Sequence, residues 1–394
     1  MVAAEGLAPT RSTEEEVRHC ARCGLCLSAC PGYRQSLSET DSPRARVALQ
    51  KALREGLLDL SDEGVAEAYF RCLLCGACAF VCPSGVAVDR ILEVAREELS
   101  RKGYLPDTLA ELTSRILQYR NVAAEENADR LIWAENLLQP PTGLGKNSAD
   151  VVYFVGCVAS FFPRSYTIPQ SFVQVLDRLG IDYALLGGSE WCCGYPLLLN
   201  GDVESARELI QHNVEAVQAM GANTVIFTCP SCVHFWRQAY PQVLQVDELD
   251  IRIQHATEFL ADTLETNDVE LGEMSLRVTY HDPCDLGRKL GVTEAPRSIL
   301  RRMPGLQLVE MPENRENSRC CGGGGNLESL SPELSGVIAA ERVRQALAVN
   351  AEIIVSACQQ CERTLSAAVR AQHLRVRVED VVQLLLKALE GIDA

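Results

Sequence analysis

Eighteen cysteines are the chemistry-bearing residues of this chain, and their spacing sorts them into four groups. Cys20-x-x-Cys23-x-x-Cys26-x-x-x-Cys30-Pro31 recurs as Cys72-x-x-Cys75-x-x-Cys78-x-x-x-Cys82-Pro83. Further on, Cys157, Cys192-Cys193-Gly194, Cys229 and Cys232 recur as Cys284, Cys320-Cys321-Gly322, Cys358 and Cys361, with matching positions 127 to 129 residues apart. Offsets that hold over five positions mark a duplicated unit. Groups of four, four, five and five use every thiol in the chain.

The first two groups have the spacing of bacterial ferredoxins, in which three close cysteines hold three corners of a [4Fe-4S] cube and the fourth crosses to the other cluster. The proline ends the turn and points the fourth thiolate away from its neighbours. Cys20, Cys23, Cys26 and Cys82 are therefore expected to hold one cubane, and Cys30, Cys72, Cys75 and Cys78 the second. Zinc, the competing use of Cys-x-x-Cys pairs, calls for neither the third and fourth cysteine at these offsets nor the prolines.

Five thiols per later unit exceed what tetrahedral zinc or an ordinary cubane takes. Adjacent cysteines such as Cys192 and Cys193 sit awkwardly on one cluster corner but suit two irons, or one bridging thiolate. A small buried hydrophobe among the five is the plain alternative. That both units keep all five favours an unusual, cysteine-rich iron-sulfur cluster in each, on Cys157, Cys192, Cys193, Cys229 and Cys232 and on Cys284, Cys320, Cys321, Cys358 and Cys361.

The elements that must position these thiols differ between the two halves. Around the ferredoxin runs, the apolar spacing over 41–69 and 86–99 predicts helices, with Ser42 capping and Pro43 at the first helical position. Arg44 and Arg46 read either as neighbours of cluster sulfur or as a solvated helix face. Residues 1–15 read as a lead-in, 109–138 as helix and 139–148 as a turn-rich boundary. Gly143-Leu144-Gly145-Lys146 lacks the offsets of a phosphate-binding loop.

Beyond that boundary, β-branched runs at 151–156, 183–186 and 224–228, repeated at 276–280, 306–310 and 353–356, alternate with helices, the pattern of buried parallel strands. Every later cysteine follows a strand, and parallel sheets gather ligands at the carboxyl ends of their strands. The expected fold is α/β, with an all-α ferredoxin-like N-terminal domain and two duplicated Rossmann-like Cys-Cys-Gly units. Its boundaries are set at 1–110, a helical linker 111–149, a first unit 150–270 and a second unit 271–394.

Composition narrows the partners. A formal charge of −16 has the wrong sign for gripping a phosphate backbone, so nucleic acid is not expected. No stretch approaches the roughly 18 apolar residues of a spanning helix, and no secretory signal is visible in the first residues. A cytoplasmic protein with no transmembrane segment is expected, in which so many thiols serve metal rather than disulfides. Neither a flavin nor a nicotinamide fingerprint occurs, so electrons must be exchanged with another subunit of a complex.

Two further side chains are candidates for chemistry. His281, at a strand end beside Asp282 and Cys284, could donate a proton or hydrogen-bond a ligand sulfur, against the plain reading of a satisfied structural residue. Tyr195, following Cys193-Gly194, could narrow access to the first cluster or offer a proton. Gly322 to Gly325 read either as a nest whose N–H groups approach sulfur or as a mobile loop. His19 stays undecided, and His212, His234, His255 and His373 read as structural.

From about Cys20 to about Leu386 the chain resembles the fused iron-sulfur subunits related to the D subunit of heterodisulfide reductase and to the iron-sulfur subunit of glycolate oxidase. The two ferredoxin runs carry the resemblance, with Asp41-Ser42-Pro43-Arg44-Ala45-Arg46, His281-Asp282-Pro283-Cys284 and Cys320-Cys321-Gly322-Gly323-Gly324-Gly325. In the first branch it implies that each five-cysteine unit holds a noncubane [4Fe-4S] cluster and that a small-molecule disulfide or similar acceptor is split between them. In the second it implies a non-catalytic relay that takes electrons from a flavoprotein oxidising glycolate or lactate. A third alternative is zinc in one or both five-cysteine units. The leading expectation is an electron-transferring and catalytic subunit of a multisubunit oxidoreductase, working with a flavoprotein or other electron-transfer subunits.

Overall fold

The structure, a computed structural model, describes residues 11–391. The first ten residues of the expected lead-in lie outside the described residues; a helix Thr13–His19 then starts at a capping box between Ser12 and Glu15. The ferredoxin half is helical, as its periodicity implies. Ser42 Oγ accepts the N–H of Ala45 at 3.1 Å and Pro43 opens the helix Pro43–Arg54, followed by Val65–Phe70 and Val88–Arg101. Ile91, Leu92, Ala95 and Leu99 form the buried stripe of the last of these.

The continuous helix expected over 109–138 is broken. A helix Asp107–Tyr119 stops at Arg120, which lies at φ 60°, and the Asn121 side chain then takes the N–H groups of Ala123 and Glu125. That local hydrogen bonding competes with helix propagation. A 3₁₀ stretch Asn127–Ala134 follows and brings Arg130 and Trp133 into the interior.

Among the described residues, eight parallel strands form two sheets. β1 (Val151–Phe154), β2 (Tyr183–Leu185), β3 (Thr224–Phe227) and β4 (Arg252–His255) lie in the order β2-β1-β3-β4. β5 (Arg277–Tyr280), β6 (Gln307–Leu308), β7 (Ile353–Ser356) and β8 (Arg377–Asp380) repeat it as β6-β5-β7-β8. The edge strands β4 and β8 escaped sequence reading because their residues are largely polar and half-exposed. β6 keeps only two residues of the run expected over 306–310.

Alternation along β1 divides the core. Val152 and Phe154 face the helical half, with Val225 and Phe227 of β3. Val151 and Tyr153 face the second sheet, in one cluster with Val278, Tyr280, Ile353 and Val355. The central strands, buried on both faces, therefore read as continuous apolar runs.

The helix Thr167–Arg178 packs on Val381–Glu390, and Ala256–Thr266 packs on Glu294–Arg302. Each pair exchanges equivalent helices of the two units, the arrangement of a pseudo-two-fold axis. Among the described residues no helix is long and apolar enough to cross a membrane.

Candidate metal centres

Both ferredoxin runs fold by the same local rule. Arg22 and Gly24 stand at φ 55° and 84°, and Leu74 and Gly76 repeat this at 49° and 71°. These left-handed residues curl the chain so that neighbouring thiols converge. One cavity is lined by Cys20, Cys23, Cys26 and Cys82 together with Cys78; another is lined by Cys30, Cys72, Cys75 and Cys78. Arg44 lines the first and Arg46 the second, so neither lies only on a solvated face. Backbone N–H groups of Tyr33, Leu74 and Val86 point at the sulfurs of Cys30, Cys72 and Cys82 at 3.5, 3.4 and 3.4 Å.

The cavities differ in depth. Cys23 is exposed, whereas Cys30 and Cys75 are buried. Burial pushes the Cys26 thiol up to about 11, and that of Cys75 to about 12 against the pull of Arg288. Burial favours the protonated thiols, so metal binding at these positions displaces protons.

In the first sheet the chain leaves β1 for β2 and returns to β3 on the other side, so β1 and β3 flank a switch point. Crevices form there at the carboxyl ends. Cys157 follows β1, Cys192 and Cys193 follow β2, and Cys229 caps the helix Pro230–Leu244 after β3, with Cys232 in its first turn. The five thiols form an unbroken chain of contacts: Cys157 with Cys192, then Cys193, Cys232 and Cys229. Cys284, Cys320, Cys321, Cys361 and Cys358 repeat that order.

None of the ten is in a disulfide, and only Cys229 and Cys284 are less than fully buried. Hydrogen bonds from Cys192 and Cys232 hold the Cys193 thiol down at about 6, and those from Cys320 and Cys361 hold Cys321 well below its ordinary value. Their donors, Cys232, Cys320 and Cys361, are pushed up by the same contacts and by burial. Five contiguous soft donors, more than tetrahedral zinc uses, fit a polynuclear iron-sulfur group.

The surroundings of the two sets are not equivalent. Arg130, fully buried, holds Nη2 at 3.7 Å from Cys157 Sγ and pairs through Nη1 with Glu190 at 2.8 Å. Glu190 also accepts the N–H groups of Val155 and Gly156 at 2.8 Å each. In the second unit, Nδ1 of the buried His281 accepts from Arg342 Nε at 3.0 Å. A neutral ring with Nδ1 so engaged carries its proton on Nε2. His281, Cys321 and Cys361 place their ligand-type atoms within 4.8 Å of one another, and hydrogen bonding to His281 helps keep Cys321 low.

The remaining sequence candidates separate. Tyr195 opens a short helix, packs edge-on against Phe235 at 4.6 Å and lies near Asp285 and Cys284 of the other unit. His19 binds the Glu15 carbonyl and His212 the Ser189 carbonyl, while His255 caps Ala256–Thr266. Gly322 donates its N–H to Cys320 Sγ at 3.4 Å, as a nest residue would. Gly324 and Gly325 have a different cause: a Cβ there would fall 2.9 Å from the Leu73 carbonyl oxygen and 2.3 Å from that of Cys72.

Three residues that sequence reading passed over tie the sites together. Gln359, between Cys358 and Cys361, crosses into the first unit, donating to Val155 O at 2.8 Å and Thr228 Oγ1 at 2.7 Å and accepting from Ala159 N at 3.1 Å. Ser231, between Cys229 and Cys232, donates to Asp285 beside Cys284 at 2.6 Å. Arg288 donates to the carbonyl of Cys75 at 2.7 Å, joining the deeper ferredoxin loop to the turn Cys284–Arg288. No spacing rule marks such residues; only the offset between the repeats hints at them, through Gln359 standing where the first unit has Pro230.

Comparison with known proteins matches both halves of the chain. Residues 151–236 and 278–366 each match the family described as a cysteine-rich domain, and residues 16–86 match a 4Fe-4S dicluster domain. The chain is 36% identical to the D subunit of dihydromethanophenazine:CoB–CoM heterodisulfide reductase from Methanosarcina barkeri, over 95% of this chain and 94% of that one. It is 27% identical to the B subunit of fumarate reductase (CoM/CoB) from Methanothermobacter marburgensis, over 94% of this chain and 72% of that one. A hypothetical protein from Helicobacter pylori shares the fold at a TM-score of 0.57 and 11% identity, over 88% of this chain and 68% of that one. These matches support iron-sulfur electron transfer within an oxidoreductase, and with two cysteine-rich units behind one dicluster domain the chain belongs to the family of the heterodisulfide reductase D subunit.

Proposed function

We propose that this chain is the electron-transferring and catalytic subunit of a cytoplasmic oxidoreductase complex that reduces a small-molecule disulfide or a similar acceptor. Cys20, Cys23, Cys26 and Cys82 would hold one cubane and Cys30, Cys72, Cys75 and Cys78 a second; each five-thiol set would hold a noncubane [4Fe-4S] cluster. When bound, these groups supply one-electron transfer at sulfur-ligated iron. The observation that carries the reading is the pair of contiguous five-thiol chains brought against each other, with Gln359 and Ser231 crossing between them. Among the relatives' names, that of the heterodisulfide reductase and that of the fumarate reductase both refer to CoM and CoB, which favours a thiol–disulfide couple as the substrate class.

The protein's own residues give the path a direction. Exposed Cys23 puts the first cubane set where a flavoprotein or other electron-transfer subunit can approach it. In the second set Cys30 and Cys75 are buried and Cys72 and Cys78 half-buried, and the bond from Arg288 to the Cys75 carbonyl ties it to the Cys284 turn, which supports a path in which the second Cys-Cys-Gly unit takes electrons before the first. Cys229 and Cys284, the two thiols nearest solvent among the ten, lie where an acceptor would arrive. His281 orients its N–H toward Cys321, and Arg130 holds its cation against Cys157; both stabilise negative charge on sulfur.

Iron and acid-labile sulfide in anaerobically purified protein, with paramagnetic resonance during a redox titration with and without a disulfide, test this. About sixteen irons and a disulfide-sensitive signal are expected. About eight irons with zinc would assign the five-thiol units a structural role, and about sixteen with no response to disulfide would leave a relay.

A further inference from the structure

Arg96 lies in the helix Val88–Arg101, is fully buried, and gathers backbone carbonyls from three separate parts of the chain. Its guanidinium donates to Tyr69, Phe70 and Cys72 at 3.0, 3.1 and 2.6 Å in the ferredoxin half. It also donates to Leu199 of the first Cys-Cys-Gly unit at 3.0 Å and to Gly325 of the second at 3.2 Å. The chains meet there without room for side chains: a Cβ on Gly201 would lie 2.4 Å from the Arg96 carbonyl oxygen. Asn326 closes the junction by donating to Pro196 O at 2.9 Å and Asn200 Oδ1 at 2.8 Å. The segments that follow both Cys-Cys-Gly runs are thus bound to each other and to the loop that carries Cys72.

Charge makes the junction more than a clamp. Buried Arg130 and Arg297 have carboxylate partners, Glu190 and Asp282. Arg96 forms no ion pair among the described residues, and Glu93, an acid on the same helix, pairs with Arg90. Like the buried Arg342, which also lacks an ion pair among the described residues, Arg96 is satisfied by neutral acceptors, here backbone carbonyls, so its positive charge is not cancelled by a carboxylate. A guanidinium keeps its charge at neutral pH. The acidic group that acts on Arg96 most is Cys72, ahead of Tyr195 and Glu93.

We propose that Arg96 is a positioning residue that locks the Cys72–Cys75 loop and both post-Cys-Cys-Gly segments in one register, and that its uncompensated charge raises the reduction potential of the cluster held in part by Cys72. The proposal rests on the reading that Cys30, Cys72, Cys75 and Cys78 hold a cluster. The step concerned is the gain of one electron, from the partner subunit in the complex or from dithionite in a titration; no bond is made or broken and no proton moves. A fixed cation favours the more negative, reduced state.

The test uses the full, anaerobically purified, iron-loaded protein and two variants, each checked for iron content. In Arg96→Gln, one cubane signal is expected to shift to lower potential by at least the equivalent of tenfold in its oxidised-to-reduced ratio, 59 mV for one electron, while the other stays in place. Arg96→Lys keeps the charge but not the planar fork, so its midpoint stays within that limit while amide exchange at 72–75 and 322–326 accelerates. An unmoved midpoint in iron-replete Arg96→Gln overturns the electrostatic half, and unchanged exchange in Arg96→Lys overturns the positioning half. Should Arg96→Gln fail to fold, the same comparison is made with Arg96→Lys alone: unchanged exchange still overturns the register role, and a midpoint that falls as the charge is kept overturns the charge role. An iron content near eight in the wild type would sink the noncubane reading without touching this inference, which concerns a cubane.

Discussion

The two Cys-Cys-Gly units share five thiols, one strand order and one contact sequence, yet they stabilise sulfur by opposite means. The first unit sets a fully charged pair against it: Arg130 faces Cys157, and Glu190 balances the charge. Where the second unit has His281, the first has Phe154, 127 positions earlier. The second unit sets a neutral ring against Cys321, its tautomer held by Arg342. The segments after the glycine differ too. Tyr195 and Pro196 begin a helix in the first unit, while Gly324 and Gly325 lie flat on the backbone of Cys72 and Leu73 in the second. Duplication preserved the ten thiols; divergence acted on what touches them, and it brought the second unit's glycines onto the backbone of the Cys72 loop while the first unit meets the ferredoxin half through Leu199 and Gly201.

Removing a thiol from either unit is the strongest way to break this comparison. Cys193→Ser and Cys321→Ser are each expected to lower iron by about four per chain. Their effects on reduction differ: Cys321→Ser should also stop dithionite-driven electrons from reaching the first unit's cluster, whereas Cys193→Ser should leave the second unit's signal intact. Blocked reduction of the second unit in Cys193→Ser would reverse the proposed order.

Next in size are the flanking groups. Arg130→Met leaves Glu190 buried without its cation, with only the Val155 and Gly156 N–H groups to hold it, and unfolding should become easier by about 3–5 kcal/mol. His281→Phe copies the first unit, leaves Arg342 short of one acceptor and takes the ring N–H from Cys321, at a cost of about 1–3 kcal/mol. Denaturation under anaerobic conditions measures both. Equal losses would mean that the two arrangements are energetically interchangeable.

How much of this was legible follows from which residues carry a spacing rule. The grouping of the eight ferredoxin-run thiols and of the ten others was readable because each set of offsets occurs twice. β1, β3, β5 and β7 were readable because they are buried on both faces. β4 and β8 were not, because Arg252, Gln254, Arg377 and Glu379 lie on sheet edges and look like loop. Arg96, Arg130 and Gln359 were invisible for another reason. Their partners are backbone carbonyls, a thiol or an amide brought from far along the chain, and no local pattern encodes such a meeting. The glycines after Cys321 were noticed, but their cause, the ferredoxin backbone lying against them, belongs to tertiary packing.

The crossing contacts give a smaller contrast. Gln359→Ala would leave the Ala159 N–H and the Val155 carbonyl without the amide that bridges them, costing about 1–3 kcal/mol. Ser231→Ala removes one donor to Asp285, which keeps Lys289 at 3.0 Å, and should cost about 1 kcal/mol. Thermal unfolding of both variants orders them, and a larger loss in Ser231→Ala would place the main seam between the units at Asp285.

The weakest contrast concerns the caps after the edge strands, where His255 in the first unit stands opposite Asp380 in the second. Burial pushes His255 down to about 3 from an ordinary 6.5, and pushes Asp380 up to about 7 from 3.8. Between pH 4 and 6.5 the unfolded chain binds the extra proton at His255, so that group makes stability rise with pH and lose ground as pH falls. Over the same window the folded chain keeps the proton at Asp380, so this group makes stability fall as pH rises. Each slope is at most about 1.4 kcal/mol per pH unit, and in the wild type they oppose each other. Asn caps a helix nearly as well as Asp. Asp380→Asn should therefore expose the rising slope and His255→Asn the falling one, measured by unfolding between pH 5 and 6.5 with cluster absorbance monitored throughout. Slopes of the same sign in the two variants would show that the two caps do not titrate in opposition and that the units differ only in the groups that flank their thiols.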